Sequence, residues 1–116
     1  MNLKDIKALV FDFDGVFTDN SVIISDIGQE FVICNRSDGI GLKMLKDLKI
    51  PMKIISSEKN NVVSHRAKKL NLPVVHGVDN KLEELRKFSK QIKVGLDNIA
   101  YLGNDLNDLN CMKKVG

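Results

Sequence analysis

At 116 residues the chain is long enough for one domain with a modest core and no more. Hydrophobic residues make up 43% and charged residues 28%, which places it among soluble globular chains. Eighteen basic against fifteen acidic residues give +3, too small a surplus to imply a nucleic-acid partner. No apolar run approaches membrane-spanning length, and the opening MNLKDIKALV lacks the apolar core of a signal peptide. Cys34 and Cys111 have no metal-type spacing and read as free thiols in a reducing cytosol, so the expected location is cytoplasmic.

In chain order, Ala8-Leu9-Val10-Phe11 is a short apolar run that ends abruptly in Asp12 and Asp14. That pattern predicts a strand buried on both faces of a parallel sheet. Ser21–Ser25 and Glu30–Cys34 flank a turn containing Gly28 and predict a β-hairpin. Both of its strands are apolar for an exposed hairpin, so cover by the domain or by another subunit is expected. Ile40–Lys49 keeps helical spacing at Leu42, Leu45 and Leu48, with Ser37 or Asp38 able to cap its start. Met52–Ile55 predicts a second buried strand, stopping at Ser56-Ser57-Glu58, and Lys59–Leu70 a helix with Val62, Val63, Ala67 and Leu70 inward.

Leu72–Val75 predicts a third short strand, its proline at the entry, where a missing donor is tolerated. Helices are expected at Lys81–Ile92 and Leu106–Lys113, and a fourth strand at Ile99–Leu102. Strands alternating with helices predict an α/β fold, a Rossmann-like parallel sheet flanked by helices. Right-handed crossovers then gather the strand carboxyl ends on one edge, where open α/β sheets hold their ligands.

The polar residues at those ends form a set. Asp12 and Asp14 are costly side by side unless something positive binds between them, and a divalent metal with oxygen ligands, magnesium, would supply that charge. A glycine at position 15 would let a phosphate approach the backbone. Ser56 follows the second strand, Lys81 opens a helix beyond the third, and Asn104, Asp105 and Asp108 follow the fourth. Two carboxylates, a metal, a hydroxyl and a lysine suit phosphoryl transfer. Asp12 would be the nucleophile, Asp14 the acid and base, Ser56 a phosphoryl hydrogen-bond donor and Lys81 the neutralising charge. A cation in the first turn of a helix opposes the macrodipole, so an anion is expected beside Lys81. Plainer roles stay open: solvated turn acids for Asp12 and Asp14, a helix cap for Ser56 or Ser57, a surface lysine for Lys81, a cap and an exposed acid for Asp105 and Asp108. His65 and His76 have no partner pattern, and Cys111 sits among apolar positions as a core residue.

DFDGVFTD, IISSE, GVDNK and YLGNDLNDL, in that order, resemble the four motifs of the haloacid dehalogenase superfamily of aspartyl phosphatases. With the hairpin, CNRSDGIGLKML and HRAKKL, the chain resembles the small branch without a separate cap domain that contains 3-deoxy-D-manno-octulosonate 8-phosphate phosphatase. It is also similar to the phosphatase-like domain linked to CMP-sialic acid synthetases (acylneuraminate cytidylyltransferases). The resemblance implies an aspartyl-phosphate on Asp12, magnesium held by the Asp12 carboxylate, the Asp14 backbone carbonyl and the fourth-motif residues Asn104, Asp105 and Asp108, and a substrate site that includes Gly15, Ser57 and Gly77. The implied substrate is a keto-deoxy sugar acid phosphate, an octulosonate 8-phosphate of lipopolysaccharide biosynthesis or a nonulosonate (sialic acid) 9-phosphate. Homotetramers packed through the hairpins are implied as well, with no nucleic-acid or membrane partner.

Two departures from that pattern bear on function. Asn104 stands where the family usually has aspartate; an amide oxygen brings no charge, so weaker metal binding is expected unless Asp105 or Asp108 compensates. The family also continues for some tens of residues beyond Lys114-Val115-Gly116, so the chain is expected to be a fragment. These features keep alive a second reading, an oligomerisation or regulatory module of a CMP-sialic acid synthetase. A phospho-receiver domain ranks last, because its acceptor aspartate would lie on a later strand, and here the third strand runs into His76-Gly77.

Overall fold

The computed structural model describes residues 5–35, 37–103 and 108–115. Its centre is a four-stranded, all-parallel sheet in the order β5-β4-β1-β6, built from β1 (Ala8–Phe11), β4 (Met52–Ile55), β5 (Val74–Val75) and β6 (Ile99–Leu102). β2 (Thr18–Ile24) and β3 (Glu30–Cys34) form a separate antiparallel hairpin after β1. The helices are α1 (Ser37–Asp47), α2 (Val62–Leu70), α3 (Lys81–Ile92) and α4 (Leu109–Lys114). Among the described residues no helix is long and apolar enough to cross a membrane.

The alternation of side chains along β1 and β4 divides the core into two halves. Phe11 and Ile54 pack with Leu42 of α1 and with Val63, Ala67 and Leu70 of α2. Ala8, Val10 and Ile55 face the other way, toward Leu85 and Phe88 of α3 and Cys111 of α4. Two helices therefore cover each face, the expected α/β architecture.

Boundaries differ from expectation where side chains or special backbone intervene. α1 begins at Ser37 instead of Ile40, so Ser37 and Asp38 are helical residues. Leu48, expected inward, is exposed, because the helix stops at Asp47 and Lys49 takes a left-handed conformation. α2 begins at Val62 because Asn60 first makes a turn, its side-chain oxygen accepting from the Val62 N–H at 3.0 Å. Val62 is only half-buried, whereas Val63, Ala67 and Leu70 are inward as expected. β5 is only two residues long, with Pro73 lying just outside it and contributing its carbonyl to the Ile54 N–H at 3.0 Å. α4 starts at Leu109 in the described chain, and the expected start at Leu106 lies outside the described residues.

Val32 and Cys34 pack against the core, but among the described residues nothing covers the rest of the hairpin's apolar side chains. Ile24 and Ile27 are 64% and 77% exposed, and Val22, Ile23, Phe31 and Ile33 are more than half exposed.

Candidate active site

Asp12 follows the last residue of β1, one of the two inner strands of the sheet. Its backbone N–H donates to the Leu102 carbonyl at 2.8 Å, which ties the acidic turn to the end of β6. The carboxylate is 5% exposed, and its Oδ1 accepts from the Phe13 N–H at 2.8 Å and from Lys81 Nζ at 3.0 Å. Two donors on one oxygen fix the orientation of the carboxylate.

Lys81 is the first residue of α3 and is 3% exposed. Asn80 caps the helix, its side-chain oxygen accepting from the Glu83 N–H at 3.1 Å. The Lys81 ammonium, unfavourable at a helix start by itself, lies between two acids: Asp12 at 3.0 Å and Asp108 Oδ1 at 2.8 Å. Asp108 is fully buried at the entry to α4, and its Oδ1 also accepts from the Tyr101 hydroxyl.

Burial pushes the Asp12 carboxyl up to about 6, although the Lys81 hydrogen bond and charge and the Phe13 N–H oppose the rise. For Asp108 burial acts in the same sense, but the Lys81 and Tyr101 hydrogen bonds outweigh it and hold the group below the usual carboxylate range. Burial alone would lower Lys81, yet its bonds to Asp108 and Asp12 and their charges raise it. The cluster therefore holds an ammonium that stays charged, shared by two carboxylates.

Asp14 is half-buried one turn further on, raised above the ordinary range by burial and by the negative charge of Glu58, with Lys81 opposing. It lines a small cleft of about 90 Å³ with Ser21, Glu30, Glu58 and Asn60. Gly15 adopts φ 78°, a left-handed turn that favours glycine, and its N–H donates to Thr18 Oγ1 at 3.1 Å.

Ser56 is buried at the end of β4, neighbour of β1 in the sheet. Its Oγ accepts from the Glu58 N–H at 3.1 Å, so it caps a local turn and not α2, whose cap position is Asn61. The loop after β5 is stitched to this turn: Val78 N–H donates to the Ser56 carbonyl at 3.1 Å and Gly77 N–H to the Glu58 carbonyl at 2.9 Å. His76 Nδ1 lies 3.2 Å from the same Glu58 carbonyl. Gly77 has φ 67°, and that turn leads the chain toward Lys81. Ser57 and Gly77 are exposed at the rim.

The structure thus joins Asp12, Lys81 and Asp108 in direct contact and sets Asp14, Gly15, Ser56, Ser57 and Gly77 on the same sheet edge. Asn104 and Asp105 lie outside the described residues. Among the described residues no three His, Cys, Asp or Glu side chains are grouped to hold a metal ion. The donor chemistry nevertheless suits a hard cation. Asp12 and Asp108 share one ammonium, which leaves a net negative charge in a buried cluster, and Asp14 lies near enough to feel the Lys81 charge.

Three contributors escaped sequence reasoning. Glu58 acts on Asp14 across two loops, which no spacing rule reveals. Thr18 holds the Gly15 turn. Tyr101 carried a readable signal: it follows Ile99 by two on β6, so it shares the inward face, and a hydroxyl among apolar neighbours needs a partner.

No family model matches the chain. The 3-deoxy-D-manno-octulosonate 8-phosphate phosphatase of Salmonella typhi is 32% identical over 116 residues, covering 97% of this chain and 61% of that protein. The chain therefore spans about three fifths of the length of the curated relatives it matches. Among solved structures, a protein from Streptomyces avermitilis described as a HAD family hydrolase superposes with a TM-score of 0.94 at 42% identity, covering 100% of this chain and 67% of that one. The 3-deoxy-D-manno-octulosonate 8-phosphate phosphatase of Moraxella catarrhalis, solved with magnesium, phosphate and KDO, gives a TM-score of 0.90 at 34% identity over 97% of this chain and 66% of that one. A parallel sheet with its helices, matched from end to end at this level of identity, leaves one assignment: the chain belongs to the haloacid dehalogenase (HAD) superfamily.

Proposed function

We propose that this chain carries the catalytic core of a magnesium-dependent phosphomonoester hydrolase that works through an aspartyl-phosphate on Asp12. The observation that carries the reading is the buried Lys81 ammonium, held at 3.0 Å from Asp12 and at 2.8 Å from Asp108 at the carboxyl edge of a parallel sheet. A structural ion pair needs one acid; a second acid behind the lysine holds its charge beside the nucleophile.

A carboxylate oxygen of Asp12 attacks phosphorus and the bond to the leaving oxygen breaks, while Lys81 offsets the negative charge on the phosphoryl group. Asp14, raised by burial and by the charge of Glu58, is the acid that would protonate the leaving alkoxide. The Asp14 carboxylate then takes a proton from the water that attacks the acyl-phosphate, releasing inorganic phosphate and restoring Asp12. The Asp12 carboxylate and the backbone carbonyl of Asp14 would hold magnesium, with Asn104 and Asp105 as further oxygen donors, which leaves the Asp14 side chain free for proton transfer; bound there, the ion would neutralise phosphate charge. Gly15, Ser57 and Gly77 edge the place where the substrate would sit.

The names of the Salmonella typhi and Moraxella catarrhalis proteins support a keto-deoxy sugar acid phosphate, first an octulosonate 8-phosphate and next a nonulosonate 9-phosphate. The open apolar hairpin supports assembly of several copies, a tetramer in the first instance.

Phosphate release with magnesium, measured over a panel of octulosonate, nonulosonate and simple sugar phosphates, tests the reading. Asp12→Asn should cut release by more than about a thousandfold. A folded wild-type chain that releases phosphate from none of them would overturn it.

A further inference from the structure

We infer that Tyr101 is a positioning residue for the reaction: by donating to Asp108, its hydroxyl fixes where Asp108 holds the Lys81 ammonium against Asp12. The inference rests on the reading of Lys81 as the group that offsets phosphoryl charge. Lysine is a point charge on a flexible stem, so its acceptors decide where it rests. Here the deciding acceptor is Asp108 Oδ1, which receives both Lys81 and Tyr101.

β6 holds that carboxylate from two sides. Tyr101 reaches one oxygen, and two residues later the Gly103 backbone closes against the rest of the group. A Cβ at Gly103 would stand 2.7 Å from both Cγ and Oδ2 of Asp108, closer than real contacts allow. Asp108 makes no side-chain bond capping its own helix. Its carboxylate is committed inward, in a chain that runs from the Tyr101 hydroxyl to Asp108, to Lys81 and to the nucleophile. Burial and the Asp108 charge push the tyrosine hydroxyl far up, so it serves as a donor at every working pH.

Removing the hydroxyl alone, with Tyr101→Phe, keeps the ring in the core and leaves Asp108 with one fewer donor. The ammonium should then settle deeper on Asp108 and away from Asp12. Because the Lys81 charge counts most where charge develops, kcat should fall about tenfold with KM little changed. Asp108→Asn should cost more, and the double variant should lose no more kcat than Asp108→Asn alone, since both act through one path. An unchanged kcat, or losses that multiply in the double variant, would overturn the inference. A crystal structure of Tyr101→Phe gives the answer without turnover: Lys81 Nζ beyond hydrogen-bond reach of Asp12 supports it, and an unmoved ammonium overturns it. A wild type without activity would bring down the phosphatase reading and leave that crystal structure to decide the position of Lys81.

Discussion

The carboxyl edge of the sheet and the β2–β3 hairpin invert the usual rule of burial in opposite senses. At the edge, Asp12, Lys81 and Asp108 are charged and at most 5% exposed. On the hairpin, Ile24 and Ile27 are apolar and mostly open. The first inversion resolves inside the chain, because every buried charge there meets an opposite charge or a hydrogen-bond donor. The second finds no cover within the described residues and stays open. Under the proposed reading the paired buried charges serve the chemistry and the uncovered apolar face serves assembly.

The largest effect should come from breaking the first region. Lys81→Met keeps the length of the stem and removes the ammonium, leaving two buried carboxylates against each other. The loss should be about 3–5 kcal/mol, the cost of uncompensated buried charge, read as a lower midpoint in urea denaturation at neutral pH. Acidifying the variant should restore part of it by protonating Asp12. A variant as stable as the wild type would mean that the cluster adds nothing to the fold and would weaken the contrast.

A second test uses the same cluster with no substitution. Asp12 rises from its unfolded value of 3.8 to about 6 in the folded chain, so its contribution to stability is fully present below 3.8 and is lost as pH climbs through about 6. Asp14 is raised and acts in the same direction. Asp108 is lowered, and its contribution is lost only in acid, as pH falls below the ordinary carboxylate value. In chelator the chain should therefore lose about 2–3 kcal/mol of stability between about pH 4 and 7. Magnesium, by favouring charged Asp12, should flatten that slope in thermal unfolding. A slope of opposite sign would mean that Lys81 outweighs burial at Asp12.

Why one region was easier to read from the sequence than the other follows from how far each signal reaches. β1, β4, β6 and α3 lie where the sequence pattern puts them, because those signals are local. The start and end of α1 and the extent of β5 differ from the sequence expectation, since cap residues can join a helix and a left-handed Lys49 ends one without glycine. At the edge, Lys81 was conspicuous by opposing its own helix dipole, and Asp12 by ending an apolar strand. Glu58 was not, because it acts on a residue that only the folded chain brings near, and Tyr101 shows by its place on β6 that it needs a partner but not which one. The hairpin announced its two strands and its excess of apolar residues, but not the direction in which they face.

The smallest effect on the single chain, and the sharpest on the contrast, should come from the hairpin. Ile23 and Phe31 are cross-strand partners, and both are more than half exposed. Replacing both, Ile23→Thr with Phe31→Thr, keeps β-forming residues on the ladder while removing the apolar contact. Substitutions at exposed positions usually change stability by no more than about 0.5 kcal/mol, so dilute chains should unfold almost as the wild type does. If copies meet through this face, the double variant should fall to a lower mass by light scattering, and the wild type alone should gain stability with protein concentration. A large loss in the dilute chain would mean that the hairpin packs on its own domain. An unchanged mass, with the wild type already monomeric, would leave the face to a different partner.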